Sequence, residues 1–263
     1  MIQPLSYVDS QAKIADTVVI EPFVTIHRNV EIGEGTWIGS NVTIFEGARI
    51  GKNCKIFPGA VISAVPQDLK YKGEDSLLII GDNTVIRECV TLNKGTALDQ
   101  NKTIIGSNCL IMAYVHVGHD CVIGDHVIIA NSVQLAGHII VQDYVYIAGT
   151  CAVHQFVKIG AHAMVAGGSL VRKDVPPYSK AGREPLSYEG VNSIGLRRRG
   201  YTNEKIAEIQ QIYRILYLRG NNNSKAISII ENEMEPTKER DEIVSFIKES
   251  DRGVMKGYIS RRD

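Results

Sequence analysis

The stretch from Ile14 to Ile62 reads IADTVVI EPFVTI HRNVEI GEGTWI GSNVTI FEGARI GKNCKI FPGAVI, with an isoleucine at every sixth position. Val8 extends the series backward by one step, and Ile80, Ile86 and Leu92 resume it after an interruption. A last run follows: Ile105, Ile111, Val117, Ile123, Ile129, Leu135, Val141, Ile147, Val153, Ile159, Val165 and Val171. A period of six matches neither an amphipathic helix nor a coiled-coil heptad. It matches hexapeptide repeats, in which three short strands make one triangular coil. The residues two before each anchor form a second register that is small or β-branched almost throughout, from Ala12, Val18 and Val24 to Val157, Ala163 and Ser169. Side chains two apart on a strand share a face, so both registers point into a narrow prism. The fold class predicted is an all-β left-handed parallel β-helix, the hand being taken from hexapeptide families rather than from periodicity.

Working outward, the hexads break between Ile62 and Ile80 and between Leu92 and Ile105, which predicts loop insertions near 63–79 and 93–104. The first, SAVPQDLKYKGEDSLL, is polar and charged. It is either a binding element carried on a rigid scaffold or a tolerated surface insertion. The prism is predicted over 1–178, ending where Pro176 and Pro177 stop strand pairing. A connection over 179–202 leads to a helical C-terminal domain over 203–263. There Ile206, Ile209, Ile212, Tyr213, Leu216 and Tyr217 have helical spacing. Gly220 is the expected stop and Ser224 the expected cap of the next helix, while Ile243, Phe246 and Ile247 mark a third.

Composition excludes several classes. Lys plus Arg and Asp plus Glu both number 29 in 263 residues, so no global charge draws the chain to nucleic acid or an anionic membrane. No apolar run reaches the length of a membrane span, and the N-terminus has no signal-peptide pattern. The five cysteines include no Cys-x-x-Cys pair, which fits a reducing cytoplasm. Cys54, Cys109, Cys121 and Cys151 occupy the small inward register, where a thiol acts as a small hydrophobe.

None of the seven histidines falls in either inward register. Coils offset by eighteen residues stack about 4.8 Å apart. That places Gly118 under Ala136 and His154, His119 under Gly137 and Gln155, and Asp120 under His138. Histidine takes a proton near neutral pH, and an adjacent carboxylate orients its ring. A glycine lets a backbone N–H approach a reacting carbonyl. A base and an oxyanion donor with no serine or cysteine nucleophile suggest direct acyl transfer to a hydroxyl or amine. The alternative is that these outward histidines are incidental.

The stretches VHVGHDCVIG, QLAGH, AVHQF, KIGAHAMVAGG and DVPPY, with PQDLKYKGE in the first insert and GVNSIGLRRRG after the prism, resemble the UDP-N-acetylglucosamine O-acyltransferase family over essentially the whole chain. The resemblance implies transfer of a (3R)-hydroxyacyl group from acyl carrier protein to the 3-hydroxyl of UDP-N-acetylglucosamine, the first step of lipid A synthesis. It implies a homotrimer with sites between prisms, and neither metal nor resident cofactor, the acyl group arriving on the carrier's phosphopantetheine. By resemblance His119 is the general base, Asp120 its supporting carboxylate and Gly137 the oxyanion donor. Gln67, Asp68, Lys70, His116, His138, His154 and Gln155 match residues that hold sugar or acyl donor. Asn192, Arg198 and Arg199 match residues near the nucleotide, although the Arg197–Arg199 cluster could equally dock an acidic carrier. Gly167 matches an acyl-length ruler, with a tight prism corner as the alternative. One departure is Ile194, at a position that is acidic in family members. Rival readings are acyl transfer to a 3-amino sugar analogue, the sister N-acyltransferase, a γ-class carbonic anhydrase and a non-catalytic scaffold. The sister enzyme normally has a further N-terminal domain, and the anhydrase uses His-x4-His where this chain has His116-x2-His119.

Overall fold

The short period leaves each strand only about two residues, so regularity comes from stacking rather than strand length. The computed structural model describes residues 5–218 and 220–257. Successive strands turn onto three sheets of nine, eight and eleven strands, parallel throughout the prism and called here faces one, two and three in the order the chain visits them. The prism is a left-handed parallel β-helix. Registers follow the hexads: Val117 pairs with Leu135, which pairs with Val153, which pairs with Val171. Both inward registers are buried along the prism and form one continuous core, with Cys54, Cys109, Cys121 and Cys151 inside it and Cys89 exposed. Burial pushes the Cys121 thiol up to about 12, so these thiols stay protonated.

Corners between faces demand a left-handed residue in most coils, and many are not glycine: Asn29, Asn41, Asp120, His126, His138, Tyr144, Phe156 and His162 all have φ between 54° and 65°. Asn and Asp tolerate that region best, whereas the aromatic corners are held by stacking on the coils above and below.

The two inserts are narrower than the sequence reading. Face one continues through Val61–Ala64 and Thr91–Asn93, and face two resumes at Leu77–Ile80 and Lys102–Ile105. Ser63 and Leu78, read as part of the first insert, are buried. Ile62 pairs with Leu92 and Leu92 with Val117, so the coils keep their register across the inserts, with one local shift between Ile62 and Ala64 where the inserts leave. Both leave the prism at the edge between faces one and two.

The stretch after Val171 requires a correction. Strand pairing does not stop at the prolines: Val175 bridges Ile159 and accepts from the Gly160 N–H. Pro176 and Pro177 lie just beyond, at a corner where no ladder N–H is needed. The expected connection instead carries strands Ser179–Gly182 and Ser187–Val191, an antiparallel hairpin that extends face three, and a short helix α1, Ser193–Arg198. Helices α2 (Asn203–Tyr217), α3 (Asn223–Glu233) and α4 (Lys238–Lys248) follow, and Lys256–Gly257 returns to pair with the hairpin. Asn222, not Ser224, caps α3 by accepting from the Lys225 N–H. Gly220 does take the left-handed conformation beyond α2. Residues 258–263 of the expected helical domain lie outside the described residues. Apolar faces of α2, α3 and α4 meet Tyr178 and Val191 in a second core.

Candidate active site

Because both inserts spring from the edge where His119, Gly137 and Gln155 stack, that edge becomes a groove. It measures about 610 Å³ and is lined by Gln67, Asp68, Leu69, Lys70, Leu98, Asp99, His119, His138, Gln155 and Phe156. His119 points away from the core, as expected, yet the inserts cover it to 7% exposure. Its Nδ1 lies 2.8 Å from Asp120 Oδ2. An ionised carboxylate can only accept, so Nδ1 carries the proton and the Nε2 lone pair is free. Asp68 Oδ2 stands 4.0 Å from Nε2, too far to hydrogen bond.

Asp120 is itself enclosed. Its Oδ1 accepts from the Thr96 N–H at 2.9 Å, its Oδ2 from the Thr96 hydroxyl at 2.7 Å, and its own N–H donates to Thr103 Oγ1 at 2.8 Å. The adjoining His138 ring meets His119 edge-on at 4.9 Å and stacks on Phe156 at 4.6 Å, while its Nδ1 lies 2.7 Å from Asp99 Oδ2. Ligand atoms of His119, Asp120 and His138 lie within 4.8 Å of one another, which is compatible with a cation. Asp120 Oδ2 already meets both the Thr96 hydroxyl and His119 Nδ1, an arrangement that suits an oriented base. Gly137 lies directly across the His119 ring. Among the described residues its N–H has no acceptor, leaving it available to an oxyanion.

Other expected residues lie outside this groove. His116, on face one, bonds Thr91 Oγ1 through Nδ1, and burial followed by the charge of His119 holds its imidazole below the usual range. His154 is exposed beside the groove, with Nδ1 at 3.2 Å from the Gln155 carbonyl. Gly167 is exposed on the edge between faces three and one. Its backbone is not left-handed, unlike that of neighbouring Gly168, so the corner conformation does not require glycine at 167. Asn192, Arg198 and Arg199 gather near the edge between faces two and three. Asn192 caps α1 through Oδ1 and donates through Nδ2 to the His162 carbonyl. Arg199 donates to the Tyr144 carbonyl at 2.9 Å and lies over that ring, while Arg198 and Ile194 are exposed. One prism therefore carries the expected residues on three separate edges.

That second edge also holds a column of stacked rings, His126, Tyr144, His162 and Tyr178. Burial first, then the charges of Arg199 and Lys238, lowers the His162 imidazole to about 4, against the opposing influence of Asp143 and Glu239. Its folded value lies below its unfolded one, so its contribution is complete above about pH 6.5 and is lost as pH falls toward about 4. His162→Phe preserves the stack and cannot protonate. The variant is expected to keep about 3 °C more of its neutral-pH Tm at pH 4.5 than the unchanged chain, checked by thermal melts across that window.

The sequence reading missed Thr96, Asp99, Thr103 and Leu98, all within or bordering the second insert. Nothing signalled Thr96, Leu98 and Asp99, since the insert breaks the period that gives neighbours, whereas Thr103 stands in the inward register and was readable only as a core position. Phe156 was readable as the residue one coil beyond His138.

Known proteins match the chain throughout. Residues 174–255 match the family profile described as Udp N-acetylglucosamine O-acyltransferase, domain 2. Residues 102–137 match the bacterial transferase hexapeptide profile, and residues 2–102 one described as the GMPPB C-terminal domain. The acyl-(acyl-carrier-protein)–UDP-N-acetylglucosamine O-acyltransferase of Thiobacillus denitrificans is 41% identical over 97% of this chain and 99% of its own. The protein of that name from Chlorobaculum tepidum is 56% identical over 71% and 70%. Among solved structures, a UDP-N-acetylglucosamine acyltransferase from Bacteroides fragilis superposes with TM-score 0.96 at 50% identity, covering 97% of this chain and 100% of that one.

Proposed function

Because the chain belongs to the acyl-(acyl-carrier-protein)–UDP-N-acetylglucosamine O-acyltransferase family, we infer that it transfers a (3R)-hydroxyacyl group from acyl carrier protein to the sugar 3-hydroxyl of UDP-N-acetylglucosamine, the first step of lipid A synthesis. The observation that carries the mechanism is a His119 Nε2 left free by the Asp120 contact, beside an unclaimed Gly137 N–H. His119 takes the 3-hydroxyl proton as that oxygen attacks the thioester carbonyl. The Gly137 N–H stabilises the resulting oxyanion. Collapse breaks the C–S bond, and the departing phosphopantetheine thiolate takes the proton back from the imidazolium. No metal or resident cofactor enters this scheme.

Gln67, Asp68, Lys70, His138 and Gln155 line the groove and are assigned to sugar and donor contacts, with His116 and His154 flanking them. Asn192, Arg198 and Arg199 are assigned to the nucleotide, the guanidinium fork suiting phosphate. A single prism cannot bring three edges together. Three copies about a common axis could, with one chain's His119 edge facing another's Gly167 or Arg199 edge. This supports a homotrimer. Among the described residues no helix is long and apolar enough to cross a membrane.

Incubation with UDP-N-acetylglucosamine and a series of 3-hydroxyacyl carrier proteins, read by mass spectrometry, tests the reaction. An ester on the sugar is expected, and absence of product with every donor overturns the reading. Chain-length choice is assigned to Gly167. A Cβ there meets the Gly149 carbonyl oxygen at 3.3 Å and the Ala148 Cβ at 3.9 Å, so a side chain fits with a small adjustment and projects outward. Gly167→Met is expected to favour donors shorter by a few carbons, each methylene counting about fourfold in binding. Competition between mixed donors checks this. An unchanged length ranking removes the ruler assignment.

A further inference from the structure

The second insert does more than wall the groove. It enters at Asn93 and leaves at Lys102, and residues within and just beyond it hold Asp120 from two sides. Thr103 Oγ1 accepts from the Asp120 N–H, fixing its left-handed corner. Thr96 meets the carboxylate with both its N–H and its hydroxyl, one on each oxygen. Oδ2 is shared, accepting from the Thr96 hydroxyl at 2.7 Å and lying 2.8 Å from His119 Nδ1. Thr96 is 1% exposed and Asp120 2%, so water does not compete for these oxygens.

We propose that Thr96 is a positioning residue for the acyl transfer, acting through Asp120 to fix the rotation and tautomer of His119. A carboxylate held by one donor on each oxygen cannot rotate. Its Oδ2 then faces Nδ1 in one direction, and Nε2 is aimed at the groove before substrate arrives. Without the hydroxyl, Oδ2 keeps only the histidine, and the pair can swing together about the remaining Thr96 N–H contact. Small misalignment of a base has large kinetic consequences because proton transfer is short-ranged. The proposal rests on His119 being the base.

The test is a double-mutant cycle read by steady-state kinetics. Thr96→Val is nearly isosteric and keeps the backbone N–H. It is expected to lower kcat about tenfold with KM for both substrates within about twofold. Thr96→Ser, which restores the donor, should recover most of the loss. In an Asp120→Asn background the valine should change kcat by less than about twofold, since the carboxylate it acts through is gone. A merely structural role would instead lower Tm and persist in that background. Thr96→Ala gives the same readings should valine fail to fold. An unchanged kcat in Thr96→Val, or a full effect in the Asp120→Asn background, overturns the proposal and leaves the base assignment standing. An active His119→Ala variant overturns both.

Discussion

His119→Ala is expected to lose about 100- to 10,000-fold in turnover, the usual consequence of deleting a general base, with the fold retained. The ring contributes nothing to the prism core, whose filling comes from Val115 and Val117 before it and Cys121 after it. Its contacts are with Asp120, Gly137 and the His138 ring, all within the groove wall. Circular dichroism and solution mass should therefore match the unchanged protein while product formation collapses. Near-normal turnover would mean that another group takes the proton. Asp120→Asn should be milder, because it removes charge and perturbs orientation without removing the base.

The second large effect is expected from one methyl group. A Cβ on Gly137 would lie 2.7 Å from both Cε1 and Nε2 of His119 and 3.2 Å from Nδ1. The Gly137 backbone is not left-handed, so alanine is conformationally acceptable there. Its cost falls on the neighbouring ring, which must turn away and break its alignment with Asp120. Gly137→Ala should lower kcat on the order of 100-fold at nearly unchanged Tm. Gly118→Ala is the contrasting control, because its Cβ would strike the Ala136 backbone carbon at 2.8 Å and so should destabilise the coil. If Gly137→Ala retains full turnover, the His119 position does not matter to the reaction as described.

The prism was legible because its physics is periodic: a hexad fixes which residues face inward, and stacked coils convert spacing into proximity. The same arithmetic placed His119 under Gly137 and Asp120 under His138. It stopped working wherever the period did. Thr96 reaches Asp120 and Asp99 reaches His138 from an insert whose path no repeat dictates. The hairpin Ser179–Val191 was hidden by Pro176 and Pro177, which look like terminators but sit at a corner beyond the Val175 bridge. Helix α1 is only six residues, too short for periodicity to register. Asn222 and Ser224 are both plausible caps, and the geometry of the turn chose between them.

An edge of stacked coils has translational symmetry: moving one coil along carries a side chain about 4.8 Å in nearly the same orientation. His119, Gly137 and Gln155 are three rungs of one such ladder, and as far as the core is concerned a base could stand on any of them. The inserts break this degeneracy. They leave the edge at two particular coils and reach only so far, so they bring the Thr96 hydroxyl to Asp120 beside His119 and the Asp99 carboxylate to His138 one coil on, and leave Gln155 exposed. The repeat supplies a set of equivalent addresses, and the interruptions in it select the one that is used.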